Sequence, residues 1–185
     1  MSDSMARDRQ NGVSAPQTTL ESYTQAFPFA DSESLATHLA IVAASSSFSR
    51  EIEAVVRDLG FDLSRPRYSI VRALYLTPGH ALAQSDLAQA LRVSGPNVTQ
   101  LIDGLVAGGW VERVVSPADR RVVHACLTPE GEARASRLVP AVVEFMVTSC
   151  NTLTADEQVE LRRLLAKVKA AVEDASLATA DRTGN

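Results

Sequence analysis

Apolar residues recur at helical spacing along most of the chain. Leu35, Leu39, Val42, Ile52, Val55, Val56 and Leu59 keep to one helix face, which Ser32 opens and Gly60 stops. Ser64 is placed to cap a second helix, Leu63 to pack onto Tyr68, and Pro78-Gly79 to end it. Leu87, Ala88 and Leu91 share one face of a short amphipathic segment. After a turn at Arg92-Val93, Ser94 sits at an N-cap position and Pro96 in a first turn, where its missing donor costs nothing. Val98, Leu101, Ile102 and Leu105 then form a buried stripe, and Gly108-Gly109 closes that helix. Here the period shortens to two. Residues 110–115 and 122–127 read as strands, with Val123, Ala125 and Leu127 facing inward, joined by Ser116-Pro117-Ala118-Asp119 turn chemistry. Helical spacing returns after Thr128-Pro129, with a kink expected at Pro140. A capping box from Thr154 to Glu157 opens a last helix striped by Leu161, Leu164, Leu165, Val168 and Val172. A helix that long with such a stripe needs a partner.

The order predicts a mainly α protein with a small β-hairpin wing: a helix-turn-helix, then the hairpin, plus helices for dimerisation. The second helix of the motif turns Asn97, Thr99 and Gln100 away from its apolar stripe, with Gly95 near its start. Asn and Gln pair with adenine edges, and Thr touches a thymine methyl or a phosphate, so these side chains suit a major groove. A polar helix face alone is more often merely solvated. The hairpin shifts that balance. Its tip carries Arg120 and Arg121, suited to the negative potential of a minor groove, and Asp119 is placed to orient one of them.

Val93-Ser94, Val98-Thr99, Leu101-Ile102-Asp103, Leu105, Gly109-Trp110-Val111, Arg113, Asp119-Arg120-Arg121 and Leu127-Thr128-Pro129-Glu130-Gly131 follow in one order. That series resembles the MarR family of winged-helix transcriptional regulators, most densely over residues 82–131 and more coarsely over 33–175. The resemblance implies a homodimer that binds double-stranded, pseudo-palindromic DNA and releases it to a small-molecule effector, phenolic compounds being the class to screen, or to an oxidant. The sequence departs from the family where members often carry Arg or Lys: it has Gln100 and Gly104, and no Lys or Arg between Ser94 and Gly108. Phosphate neutralisation dominates DNA affinity, so it is expected from Arg65, Arg67, Arg92, Arg113, Arg120 and Arg121. Ala83 stands where the family's capping hydroxyl precedes the first helix of the motif. The effector is expected between the dimer helices and the winged lobe, with His38, Tyr68, Arg72 and Tyr75 as pocket residues.

The resulting domain plan is a flexible N-terminal tail over 1–31, a winged-helix domain over 32–176 and a C-terminal tail over 177–185. Within the domain the DNA-binding lobe covers about 62–128, and the dimerisation helices about 32–60 and 129–176. Tyr23, Phe27 and Phe29 close the N-terminal tail.

Composition adds further limits. The net charge of −4 weakly opposes nucleic-acid binding. Distribution matters more, and Arg65, Arg67, Arg72, Arg92, Arg113, Arg120 and Arg121 outnumber Asp86, Asp103, Glu112 and Asp119 across the middle of the chain. Arginine greatly outnumbers lysine, which reads as a GC-rich bacterial coding bias. The absence of a long apolar run or a signal-peptide core points to the cytoplasm and no membrane partner. Cys126 and Cys150 form neither a disulfide scaffold nor a metal motif, which leaves a thiol switch on the wing as an alternative mode of control. No phosphate loop, nucleophile elbow or HExxH pattern is present, and His38, His80 and His124 lie far apart, so no enzyme activity, cofactor or metal is expected. A winged-helix adaptor that binds protein rather than DNA is the remaining alternative, motivated by the uncharged helix and the negative net charge.

Overall fold

The structure, a computed structural model, describes residues 19–183. Of the flexible tail expected over 1–31, residues 1–18 lie outside the described residues. The elements are α1 (Leu20–Ala26), α2 (Ser32–Asp58), α3 (Arg65–Leu76), a 3₁₀ turn (Pro78–His80), β1 (Ala81–Ala83), α4 (Gln84–Leu91), α5 (Gly95–Ala107), β2 (Val111–Val115), β3 (Val123–Leu127), α6 (Pro129–Cys150) and α7 (Ala155–Thr183). The chain divides into two compact units between Glu51 and Ile52, within α2.

The first unit holds α1 and the N-terminal part of α2. The sequence pattern reads residues 20–26 as irregular, yet they form a helix capped by the Thr19 hydroxyl, which accepts from Ser22 N–H at 3.3 Å. Phe27 meets both Tyr23 and Phe29, with ring centroids 6.4 and 5.9 Å apart. α2 is capped by Asp31 rather than Ser32: its carboxylate accepts from Ser34 N–H at 2.8 Å, and hydrogen bonds from the Ser34 side chain and then its backbone lower the Asp31 pKa.

The second unit contains the core. Ile52 and Val56 of α2, Tyr68, Ile70, Val71 and Leu74 of α3, and Leu87 of α4 are buried with Val98, Ile102 and Leu105 of α5. Leu63, Trp110 and Val111, Ala125 and Leu127 of β3, and Ala135, Leu138, Val139 and Val142 of α6 complete it. The stripe expected on α5 is therefore the buried one, and Ala125 and Leu127 point inward as their alternation requires.

The sheet has the order β1-β3-β2, all antiparallel. β2 and β3 are the hairpin read from the sequence, with Val111 opposite Leu127 and Val115 opposite Val123. β1 was not legible there. Its three residues, Ala-Leu-Ala, lack strand character, and only pairing with β3 (Ala81 with Cys126, Ala83 with His124) makes them a strand. α4 begins directly after it without a side-chain cap at Ala83.

α6 runs unbroken past Pro140, and the Thr154–Glu157 capping box opens α7: Glu157 accepts from Thr154 N–H at 2.8 Å and its own N–H donates to the Thr154 hydroxyl at 3.3 Å. α7 continues to Thr183, past the helix end expected near residue 176.

Candidate nucleic-acid interface

α5 presents its polar face because its apolar stripe is taken by the core. Ser94, Gly95, Asn97, Thr99, Gln100 and Asp103 are all exposed. Ser94 stands at the N-cap with extended backbone, but its hydroxyl makes no capping bond. The Thr99 hydroxyl donates back to the Gly95 carbonyl at 3.0 Å, which fixes its rotamer and leaves its methyl group available.

A set of contacts fixes where this helix ends and how the wing meets it. Arg113 on β2 pairs with Asp103 on α5 at 2.7 Å and donates to the Thr99 carbonyl at 3.3 Å, which joins wing base to helix. At the α5–β2 corner, Gly109 takes φ +71°, a left-handed turn that favours glycine. α6 grips that corner. Thr128 donates its hydroxyl to the Gly109 carbonyl at 2.8 Å while accepting from Gly131 N–H at 2.8 Å. Arg134 donates to the Gly108 carbonyl at 2.9 Å, pairs with Glu130, and lies 5.4 Å from the Trp110 ring centroid. Phe61 meets the same indole edge-on at 5.2 Å. The Gly131 position is tight: a Cβ there would overlap the Trp110 carbonyl. This is the physical content of the Thr-Pro-Glu-Gly sequence after β3.

The wing tip is ordered from within. Ser116 Oγ accepts from Ala118 N–H at 3.3 Å, and Asp119 accepts from Arg121 N–H at 3.0 Å. The Asp119 carboxylate also takes Arg121 Nε at 3.3 Å and a terminal nitrogen at 3.2 Å, the two-point pairing expected for one of the arginines. These bonds to Arg121 hold the Asp119 pKa below the ordinary carboxylate range. Arg121 nevertheless remains 92% exposed along its side chain, and Arg120 beside it is exposed.

The other expected phosphate contacts divide. Arg65 opens α3 and is half-buried. Arg67 lies against α5 at Gly104. Arg92, in a left-handed conformation between α4 and α5, pairs with Glu173 of α7 at 2.6 Å and so depresses the Glu173 pKa. Arg113 is engaged by Asp103, as above. Asp103 lies on α5 and Arg113 on β2, but nothing in their spacing along the chain signals that they pair. Arg134, which holds the corner, was not anticipated; only its position one turn after Glu130 hints at it.

Of the expected pocket residues, Tyr68, Arg72 and Tyr75 line up along α3, whereas His38 belongs to the first unit. Tyr68 is buried and its hydroxyl has no hydrogen-bond partner among the described residues; burial raises its pKa, opposed by the charges of Arg72 and Arg65. Tyr75 stacks on His80 with centroids 5.6 Å apart. Burial and then the Glu112 carboxylate raise the Cys126 thiol pKa, the reverse of what a peroxide-reactive thiolate needs. Among the described residues no group of three His, Cys, Asp or Glu is placed to hold a metal, and no single helix is long and apolar enough to cross a membrane.

The order α3-β1-α4-α5-β2-β3, with a clamped polar helix and a charged hairpin, defines a winged helix-turn-helix protein. Residues 61–122 match the model of the MarR family. The HTH-type transcriptional regulator PrsX of Escherichia coli is 29% identical over 116 residues, covering 63% of this chain and 70% of that one. Among solved structures, Sco3205, a MarR family regulator from Streptomyces coelicolor crystallised with DNA, superposes with a TM-score of 0.69 at 22% identity, over 78% of this chain and 94% of that one. NadR in complex with 4-hydroxyphenylacetate superposes with a TM-score of 0.56 at 22% identity, over 70% and 89%. The likeness to the MarR family is carried by residues 61–122, and the relatives that match this chain are named as transcriptional regulators.

Proposed function

We propose that this chain is a ligand-responsive repressor that binds a pseudo-palindromic operator as a homodimer. The observation that carries the reading is the joint display of the α5 polar face and the arginine-tipped wing, tied together by the Arg113 contacts to Asp103 and Thr99. Asn97, Thr99 and Gln100 read bases in the major groove, with Ser94 and Gly95 close to the backbone; Arg120 and the Asp119-held Arg121 enter the minor groove. The residue 62–128 lobe makes these contacts, and the flanking helices over 32–60 and 129–176 carry the dimer. Exposed apolar side chains on α6 and α7, Val143, Val147, Leu161, Leu164, Leu165 and Val168 among them, support that assignment. Two lobes about 34–36 Å apart reach successive major grooves. The cytoplasm is the compartment this role requires.

An effector that favours a different lobe spacing releases the DNA by shifting the population. The buried Tyr68 hydroxyl without a partner, with Arg72 close enough to act on its charge, supports an acidic or phenolic effector, as does the likeness to NadR.

The test is a gel-shift titration over a range of salt, with a duplex that the wild-type protein enriches from a random-sequence pool. Replacing Arg120 and Arg121 by Ala weakens binding and lowers the salt slope by about one for each phosphate no longer neutralised. Unchanged affinity and slope refute the wing's role.

A further inference from the structure

Gly104 sits inside α5, where glycine disfavours the helix and no left-handed turn calls for it. The reason lies on the neighbouring helix. A Cβ at position 104 would fall 2.6 Å from Arg67 Nε, and closer still to its Cζ and one terminal nitrogen. The guanidinium of α3 therefore occupies the volume a side chain at 104 would need. Arg67 Nε is sealed from solvent there and has no hydrogen-bond partner among the described residues. The carbonyl of Gly104 is taken by Gly108 N–H, and the adjacent carboxylate, Asp103, by Arg113. A buried N–H without a partner is costly, so what holds Arg67 at this point is shape: a flat cationic group against bare helix backbone.

We infer that Arg67 is a positioning residue for DNA binding, a wedge between α3 and α5 whose fit against Gly104 sets how far the recognition helix stands out from the body. It acts through α5 rather than on DNA. The inference rests on the DNA-binding reading above, because the position of α5 decides the reach of Asn97, Thr99 and Gln100. It also gives Gly104 a cause: the glycine is the socket of the wedge.

The experiment is a double-mutant cycle in the full chain with Arg67→Ala, Gly104→Ala and the two combined, read by affinity for the enriched duplex and by melting temperature. Each single change is expected to weaken binding about tenfold, one by emptying the socket and the other by expelling the guanidinium. The combined variant is expected to recover to within about threefold of wild type, because the methyl group introduced at position 104 fills part of the vacated space. Arg67→Lys, which keeps the charge and loses the plane, should behave like Arg67→Ala. The salt slope should stay at the wild-type value throughout. Losses that multiply in the combined variant overturn the inference. So does a slope reduced by about one in Arg67→Ala and restored in Arg67→Lys, the signature of a phosphate contact. If Gly104→Ala alone does not fold, a combined variant that folds and binds supports the wedge, and one that does neither overturns it. A wild-type protein that enriches no duplex overturns the regulator reading, and this role with it. The melting-temperature cycle then shows separately whether the two residues are coupled, so the two failures are told apart.

Discussion

Asp119 turns Arg121 from a long mobile cation into a directed one. Two side-chain contacts and a backbone bond hold it, while its exposure leaves the guanidinium's outer edge to a ligand. The depressed Asp119 pKa fixes the sign of the pH dependence. A carboxylate whose folded pKa lies below its unfolded value contributes fully above the unfolded value and loses that contribution as pH falls through the folded one. The wing tip is therefore expected to keep its order through neutral and mildly acidic solution and to loosen only below about pH 4. An NMR titration of the Arg121 Nε–H signal checks this: early loss, near about pH 6, would contradict it. Asp119→Ala should weaken DNA binding several-fold while leaving the melting temperature nearly unchanged, since the pair is solvent-exposed.

The placement of α5 depends on its neighbours more than on its own sequence. Core side chains set its rotation, the Arg113–Asp103 pair sets its relation to the wing, and the N-terminus of α6 sets the corner at which it stops. Gly131 is the tightest part of that corner. Gly131→Ala pushes a methyl group onto the Trp110 carbonyl, a backbone atom that cannot rotate away. The expected cost is about 1–3 kcal/mol, in the range of other overpacking changes, read as a lower midpoint in urea denaturation. A midpoint equal to wild type would show that the corner has slack. The same comparison explains why Thr128, Glu130 and Gly131 accompany Trp110 in the chain: they are one joint made from two distant segments.

Among the described residues, α7 leaves an apolar stripe exposed. Leu161, Leu164, Leu165 and Val168 stand 42–44% exposed along one stripe, which a stable helix of this length does not ordinarily leave to water. If the stripe is the dimer face, Leu164→Asp together with Leu165→Asp yields a monomer in sedimentation equilibrium. The wild-type melting temperature should then rise with protein concentration, as linkage to association requires. A doubly substituted protein that remains dimeric would move the interface elsewhere. Through Glu173 the same helix also reaches Arg92, the residue between α4 and α5, so the terminal helix and the DNA-binding motif share an ionic contact.

Periodicity alone was enough for the elements whose burial is one-sided. The α5 stripe, the inward Ala125 and Leu127, the glycine exit at Gly109 and the capping box at Thr154 each declare themselves within a few residues, because helix and strand periods and cap chemistry are local. The Asp119–Arg121 pairing was legible for the same reason. What tertiary structure decided is whatever needs two distant segments at once. β1 is a strand only because β3 lies beside it. Arg113 faces Asp103, Arg134 holds Gly108, and Gly104 is small because Arg67 fills its place. Spacing along a chain reports which face a residue is on; only the packed fold reports what that face meets.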